Sequence, residues 1–113
     1  IELGSGTGFL GIACEKLATQ NMNSADGSDC SVVVTDLESV IPQMNANISL
    51  NKTLQVSAVV CDWGITDVAS LGAPFDVVLL ADVVYITETY LPWACENHCR
   101  LMPPRDIGTA WLP

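Results

Sequence analysis

Apolar residues in this chain come in short unbroken runs that alternate with stretches of helical periodicity. Ile1-Glu2-Leu3 reads as the end of a buried strand and Gly4 to Gly8 as a glycine-rich turn. From Phe9 to about Thr19, Leu10, Ala13, Cys14, Leu17 and Ala18 recur at the spacing of one helix face. Gln20 to Ser31 is polar, rich in Asn, Ser, Asp and Gly, and predicts a loop. Val32-Val33-Val34-Thr35 is a β-branched strand run closed by Asp36. Ser39 is placed to cap the next helix, with Pro42 in its first turn and Ile41, Met44 and Ile48 on one face. Val56 to Cys61 predicts a third strand, closed by Asp62-Trp63-Gly64, and Thr66 to Leu71 a short helix. Asp76 to Ala81 predicts a fourth strand after Pro74, and Thr87 to Leu101 a last helix stopped by Pro103-Pro104.

Strands that are apolar along their whole length, separated by helices, belong to parallel sheets covered on both faces. The expected fold class is α/β: a Rossmann-like sheet, here a partial one of about four strands and their helices. Residues 1–113 read as part of one domain truncated at both ends, without repeats, low-complexity tract or linker. A half-sheet of this kind, with an unpaired outer edge on its fourth strand, is expected to be poorly stable by itself.

Composition narrows the function classes. At 50% hydrophobic residues the chain is not globally disordered, and no run of 18 apolar residues suggests a membrane span. Thirteen acidic against four basic residues give a formal charge of −9, the wrong sign for a nucleic-acid binder and suited to a basic protein or a small cation. Cys14, Cys30, Cys61, Cys95 and Cys99 form no CxxC pair, and their odd number fits a reducing compartment. Cys95, His98 and Cys99 fall short of a four-ligand zinc set, so no metal is expected. Asn47-Ile48-Ser49 and Asn51-Lys52-Thr53 are formal glycosylation sequons, against which the cysteine usage argues.

Four strand ends carry the candidate chemistry. Gly4, Gly6 and Gly8 lie between a strand and a helix, where glycine lets backbone approach a ligand and the helix start offers free N–H groups. Gly6-Thr7-Gly8-Phe9-Leu10-Gly11 formally satisfies the dinucleotide pattern GxGxxG. Counted from the glycine that follows the strand, however, the spacing is GxGxG, with Phe9 in the third glycine's place. Asp36 ends the second strand, where a carboxylate can hold both ribose hydroxyls of a nucleoside. It follows Gly4 by 32 residues, longer than the roughly 20 of dinucleotide domains, and the polar loop accounts for the excess. Asp62 and Trp63 follow the third strand, an acceptor for an adenine amine and an indole to cover the ring, or a cap on the core edge. Ala81-Asp82-Val83-Val84-Tyr85 follows the fourth, and the three-residue step from Asp82 to Tyr85 aims both at one cleft.

In this order the four elements resemble a class I methyltransferase, and more closely the family-16 lysine methyltransferases. The matching residues are Glu2-Leu3-Gly4-Ser5-Gly6-Thr7-Gly8, Val34-Thr35-Asp36-Leu37, Asn45-Ala46-Asn47 with Asn51, Asp62-Trp63-Gly64, and the DxxY motif Asp82-Val83-Val84-Tyr85. The likeness runs from Ile1 to about Pro92 and fades beyond it. It implies S-adenosyl-L-methionine as cofactor, held by Glu2, Gly4, Ser5, Gly6, Gly8, Asp36, Leu37, Asp62, Trp63 and Ala81. Asp82 and Tyr85 would face the acceptor as catalytic residues. It implies a non-histone protein lysine as the substrate and a cytoplasmic location, with the nucleus as the alternative. Neither nucleic acid nor membrane is expected as a partner, and the oligomeric state is left open. The alternatives are a methyltransferase for a small molecule, an inactive or truncated paralogue that only binds, and, less favoured, a nicotinamide-dependent oxidoreductase, for which Asp62-Trp63 and the DxxY motif have no evident use.

Overall fold

The computed structural model describes residues 1–21, 30–83, 92–93 and 100–102. Within them the order is β1 (Glu2–Leu3), α1 (Phe9–Asn21), β2 (Val32–Asp36), α2 (Ile41–Asn51), β3 (Val56–Val60), a 3-10 turn (Val68–Leu71) and β4 (Leu79–Leu80). The four strands form one parallel sheet in the order β3-β2-β1-β4. Glu2 pairs with Val34 on one side of β1 and with Leu79 on the other. The chain therefore builds outward from β1 to β3 and then crosses to the far side of β1.

Both faces of the sheet are covered, as the unbroken apolar runs predict. Val32, Val34 and Val56 point to one face and pack with Ile12 of α1 and Met44 of α2. Val33 and Val59 point to the other, against a cluster holding Leu3, Cys61, Val68, Leu71 and Leu101. Helix α1 lies very close to the sheet at Gly11. A Cβ there would run into Val34 Cγ1 and come within 3.1 Å of Glu2 Oε2 and 3.2 Å of Val32 Cγ1.

Three expectations change. The N-cap of α2 is Val40, not Ser39, and no side chain caps the helix. A hydrogen-bonded turn, Val40 N–H to Leu37 O at 2.9 Å, feeds straight into it, and Val40 O accepts from Gln43 and Met44. Pro42 still occupies the first turn, where its missing N–H costs nothing. The fourth strand is Leu79–Leu80 rather than Asp76–Ala81; these two residues pair with Glu2 and Leu3, and Val77 O accepts from the Ile1 amine at 2.9 Å. The short helix narrows to Val68–Leu71, capped by Asp67, whose side chain accepts from Ala69 N–H. Of the last expected helix only residues 92–93, 100 and 101 are described, and these are helical.

Candidate cofactor site and active site

In an open parallel sheet the ligand crevice lies beyond the carboxyl ends of the strands, where the strand order reverses. Here that point is between β1 and β4, and the loop Gly4–Gly8 springs from it. Gly4, Gly6 and Gly8 all have positive φ, at +68°, +54° and +76°, a region that L side chains rarely adopt. They differ in surroundings. A Cβ on Gly6 would meet nothing within 4 Å, so ligand can approach its backbone. A Cβ on Gly4 would sit 3.2 Å from both Trp63 Cζ2 and Val83 Cγ1. The glycine loop, the β3 exit and the β4 exit thus converge on Gly4.

Asp36 is tied to this loop. Its Oδ2 accepts from Gly6 N–H at 2.7 Å and its Oδ1 from Leu37 N–H at 2.7 Å. Each carboxylate oxygen has two lone pairs, so the group keeps capacity for further donors such as ribose hydroxyls. Leu37 beside it is exposed.

Other expected site residues act on the loop from beneath. Ser5 Oγ donates to Glu2 O at 3.1 Å and accepts from Thr35 N–H at 3.0 Å, stapling the loop to β1 and β2. Glu2 is buried, and its carboxylate accepts from Gly11 N–H at 3.0 Å, one of the unpaired donors in the first turn of α1. Burial pushes the Glu2 carboxyl above its ordinary value, opposed by that same hydrogen bond. Glu2 therefore anchors α1 under the loop.

On the β3 side, Asp62 opens a tight turn: its N–H donates to Thr66 Oγ1 at 2.9 Å and its carbonyl accepts from Ile65 and Thr66. The Trp63 indole stacks on Trp93, with ring centroids 5.8 Å apart and planes 10° from parallel. It packs on the Leu3 and Cys61 side of the core as well as against Gly4. On the β4 side Ala81 and Asp82 are exposed, and Asp82 holds φ +53°. A non-glycine residue there costs about 1–3 kcal/mol and tends to mark functional positions. Tyr85 lies outside the described residues, as do Cys95, His98 and Cys99. Among the described residues, no group of three His, Cys, Asp or Glu side chains is placed to hold a metal. Nor is any described helix long and apolar enough to cross a membrane.

Residues outside the expected set also shape the site. Asn47 Nδ2 donates to Thr7 O at 2.9 Å, linking α2 to the glycine loop. Gly11, counted only as a formal third glycine in the sequence, sets how closely α1 sits on the sheet. Helical spacing from the loop was the available signal for Gly11; nothing in the sequence pairs Asn47 with Thr7.

This fold and site are of the Rossmann-like α/β type, with a glycine loop and an acid at the ends of adjacent parallel strands. A family model described as lysine methyltransferase matches residues 1–94. The chain belongs to that lysine methyltransferase family. Curated relatives agree. It is 35% identical over 92 residues to EEF1A lysine methyltransferase 3 of Xenopus tropicalis, covering 80% of this chain and 36% of that protein. It is 30% identical over 122 residues to protein N-lysine methyltransferase METTL21A of Mus musculus, covering 94% of this chain and 51% of that one. The yeast protein-lysine N-methyltransferase EFM6 is 36% identical over 103 residues, covering 80% of this chain and 39% of its own length. The chain thus spans about a third to a half of the relatives it matches.

Proposed function

We propose that the protein carrying this chain transfers a methyl group from S-adenosylmethionine to the side-chain amine of a lysine in another protein. The observation that carries the cofactor reading is the Gly6 N–H bond to Asp36, which sets a carboxylate beside an open glycine backbone at the reversal of strand order. The residues present fit such a cofactor. Gly6 offers backbone free of any Cβ, Asp36 offers acceptors for the ribose hydroxyls, and Asp62 a carboxylate for the adenine amine. S-adenosylmethionine, when bound, supplies a methyl group on a positively charged sulfur. The acidic strand ends Asp36, Asp62 and Asp82 suit both that cation and an arriving lysine ammonium.

The protein's share of the chemistry is alignment and dehydration rather than covalent catalysis. Lysine is almost wholly protonated at neutral pH, so its proton must leave before the nitrogen can attack. Asp82, held exposed at the end of β4 beside the loop, receives the ammonium and fixes its approach. Tyr85, three residues on, orients the amine, and water takes the proton. The lysine acceptor is supported by the family and by the names of the relatives. EEF1A, named for the Xenopus relative, is the first substrate to try.

The test is calorimetric titration of the full-length protein with S-adenosylhomocysteine, NADH serving as control. Asp36→Ala removes charge-assisted hydrogen bonds and is expected to weaken binding about 10- to 150-fold. Asp82→Ala is expected to abolish methyl transfer while binding stays within about threefold. Binding of NADH instead overturns the reading.

A further inference from the structure

Asn47 is a polar residue in the body of α2, a place where asparagine is a weak helix former. Its side chain does not serve its own helix. The amide donates to Thr7 O, in the middle of the glycine loop, at 2.9 Å. The next amide along the loop, Gly8 N–H, donates to Ser5 O at 2.9 Å. The Thr7–Gly8 peptide is therefore gripped at both ends, its carbonyl by α2 and its N–H by the loop itself. That peptide needs gripping. Rotating it changes φ of Gly8, and glycine tolerates either sign of φ at little cost. Gly8 sits at φ +76°, and Gly8 O accepts from Ile12 N–H at 3.0 Å to start α1. A flipped peptide would redirect a carbonyl and an amide beside Gly6, where the backbone is open.

Asn47 is itself held. Asn51 Nδ2 donates to Asn47 O at 2.9 Å, and Lys16 Nζ of α1 donates to Asn51 O at 2.9 Å. Thr7, Lys16, Asn47 and Asn51 line one cleft between α1 and α2. The links run from α1 through the last turn of α2 to the loop, so the spacing of the two helices is fixed to the loop's shape.

We propose that Asn47 is a positioning residue for cofactor binding: its amide locks the Thr7–Gly8 peptide and so presets the loop that S-adenosylmethionine meets. This rests on the cofactor reading given above. Asn47→Asp is the sharpest probe, because it keeps the shape, loses the donor and turns a carboxylate oxygen towards Thr7 O. Asn47→Ala is the second probe, and alanine raises the intrinsic helix preference of α2.

In the full-length protein, Asn47→Ala is expected to bind S-adenosylhomocysteine about three- to tenfold more weakly, the worth of one neutral hydrogen bond, and Asn47→Asp more weakly still. KM for S-adenosylmethionine should rise more than kcat falls, with melting temperature lowered by no more than about 3 °C for Asn47→Ala. Asn47→Gln, which keeps the donor, should recover part of the affinity. Wild-type binding that is lost in Asp36→Ala but unchanged in both Asn47 variants overturns the positioning role and leaves the cofactor reading standing. An Asn47→Ala variant that fails to fold also overturns it, since the residue would then be structural. A folded wild type that binds no S-adenosylhomocysteine overturns the cofactor reading and this role with it.

Discussion

Replacing Gly11 by alanine sets two physical effects against each other. Gly11 lies in the first turn of α1, where alanine is at most about 1 kcal/mol the better helix former. Propensity alone therefore predicts a stabilised protein. Packing predicts the reverse. The added methyl would run into Val34 Cγ1 and come within 3.2 Å of Val32 Cγ1. Val34 is fully buried at 0% exposure, β-branched, and fixed in the middle of a ladder paired on both sides. A β-branched side chain is stiff at χ1, so α1 is expected to lift off the sheet instead, stretching the Glu2 to Gly11 hydrogen bond. Overpacking of this kind costs about 1–3 kcal/mol, and a rigid partner places it at the upper end. The net is a destabilisation of about 2 kcal/mol. In a domain of about 150–250 residues that lowers the melting temperature by about 4–8 °C. Urea melts of the full-length protein would show the midpoint fall at constant slope. Val34→Ala removes the colliding methyl, so the double variant should be at least about 1 kcal/mol more stable than the two single losses summed. A higher melting temperature for Gly11→Ala would refute the reasoning and show that α1 is free to move outward.

The buried carboxyl of Glu2 predicts a pH effect. Burial raises its folded-state value above the ordinary 4.5, so the unfolded chain gives up this proton more readily. This group's contribution to stability is thus greatest at acid pH and declines as pH climbs from about 4.5 through the raised value. Glu2→Gln keeps an acceptor for Gly11 N–H and should flatten that part of the profile, gaining on wild type towards pH 7; equal slopes in urea midpoints from pH 4 to 7.5 would remove Glu2 as the source. Cys61 is 1% exposed and burial pushes its thiol up to about 11, leaving about one thiolate in a thousand at pH 8. Among the described cysteines, iodoacetamide should modify half-buried Cys30 before Cys61, which it should reach only after denaturation, as peptide mass mapping would record.

The sequence reveals those features of the fold that depend on repetition. The run at Val32–Thr35 announces a strand buried on both faces, and the spacing of Ile41, Met44 and Ile48 announces the inner face of α2. It is less informative where one contact decides. Ser39 has the chemistry of a helix cap, but the turn from Leu37 to Val40 satisfies the start of α2 through the main chain. Asp76 to Val78 has strand composition, yet the ladder with β1 takes in Leu79 and Leu80 alone. At the site, Asp36 was visible as the acid that closes the Val32–Thr35 run, but its bonds from Gly6 and Leu37 carry no signal in the sequence. The stacking of Trp63 on Trp93 was not, since it joins residues 30 positions apart through an aromatic contact without local pattern.

The reversal of strand order also has a consequence in time. The glycine loop is made first, and Val83, which packs at Gly4, follows it by 79 residues. At about 5–20 residues per second the ribosome takes about 4 to 16 s to span that gap. Once Val32–Asp36 is made, β1 can pair with β2, but β4 is still to come. Until Leu79–Leu80 docks, the glycine loop stands without its β4 wall. The wall that Val83 gives to Gly4 is thus the last part of the described site to be put in place.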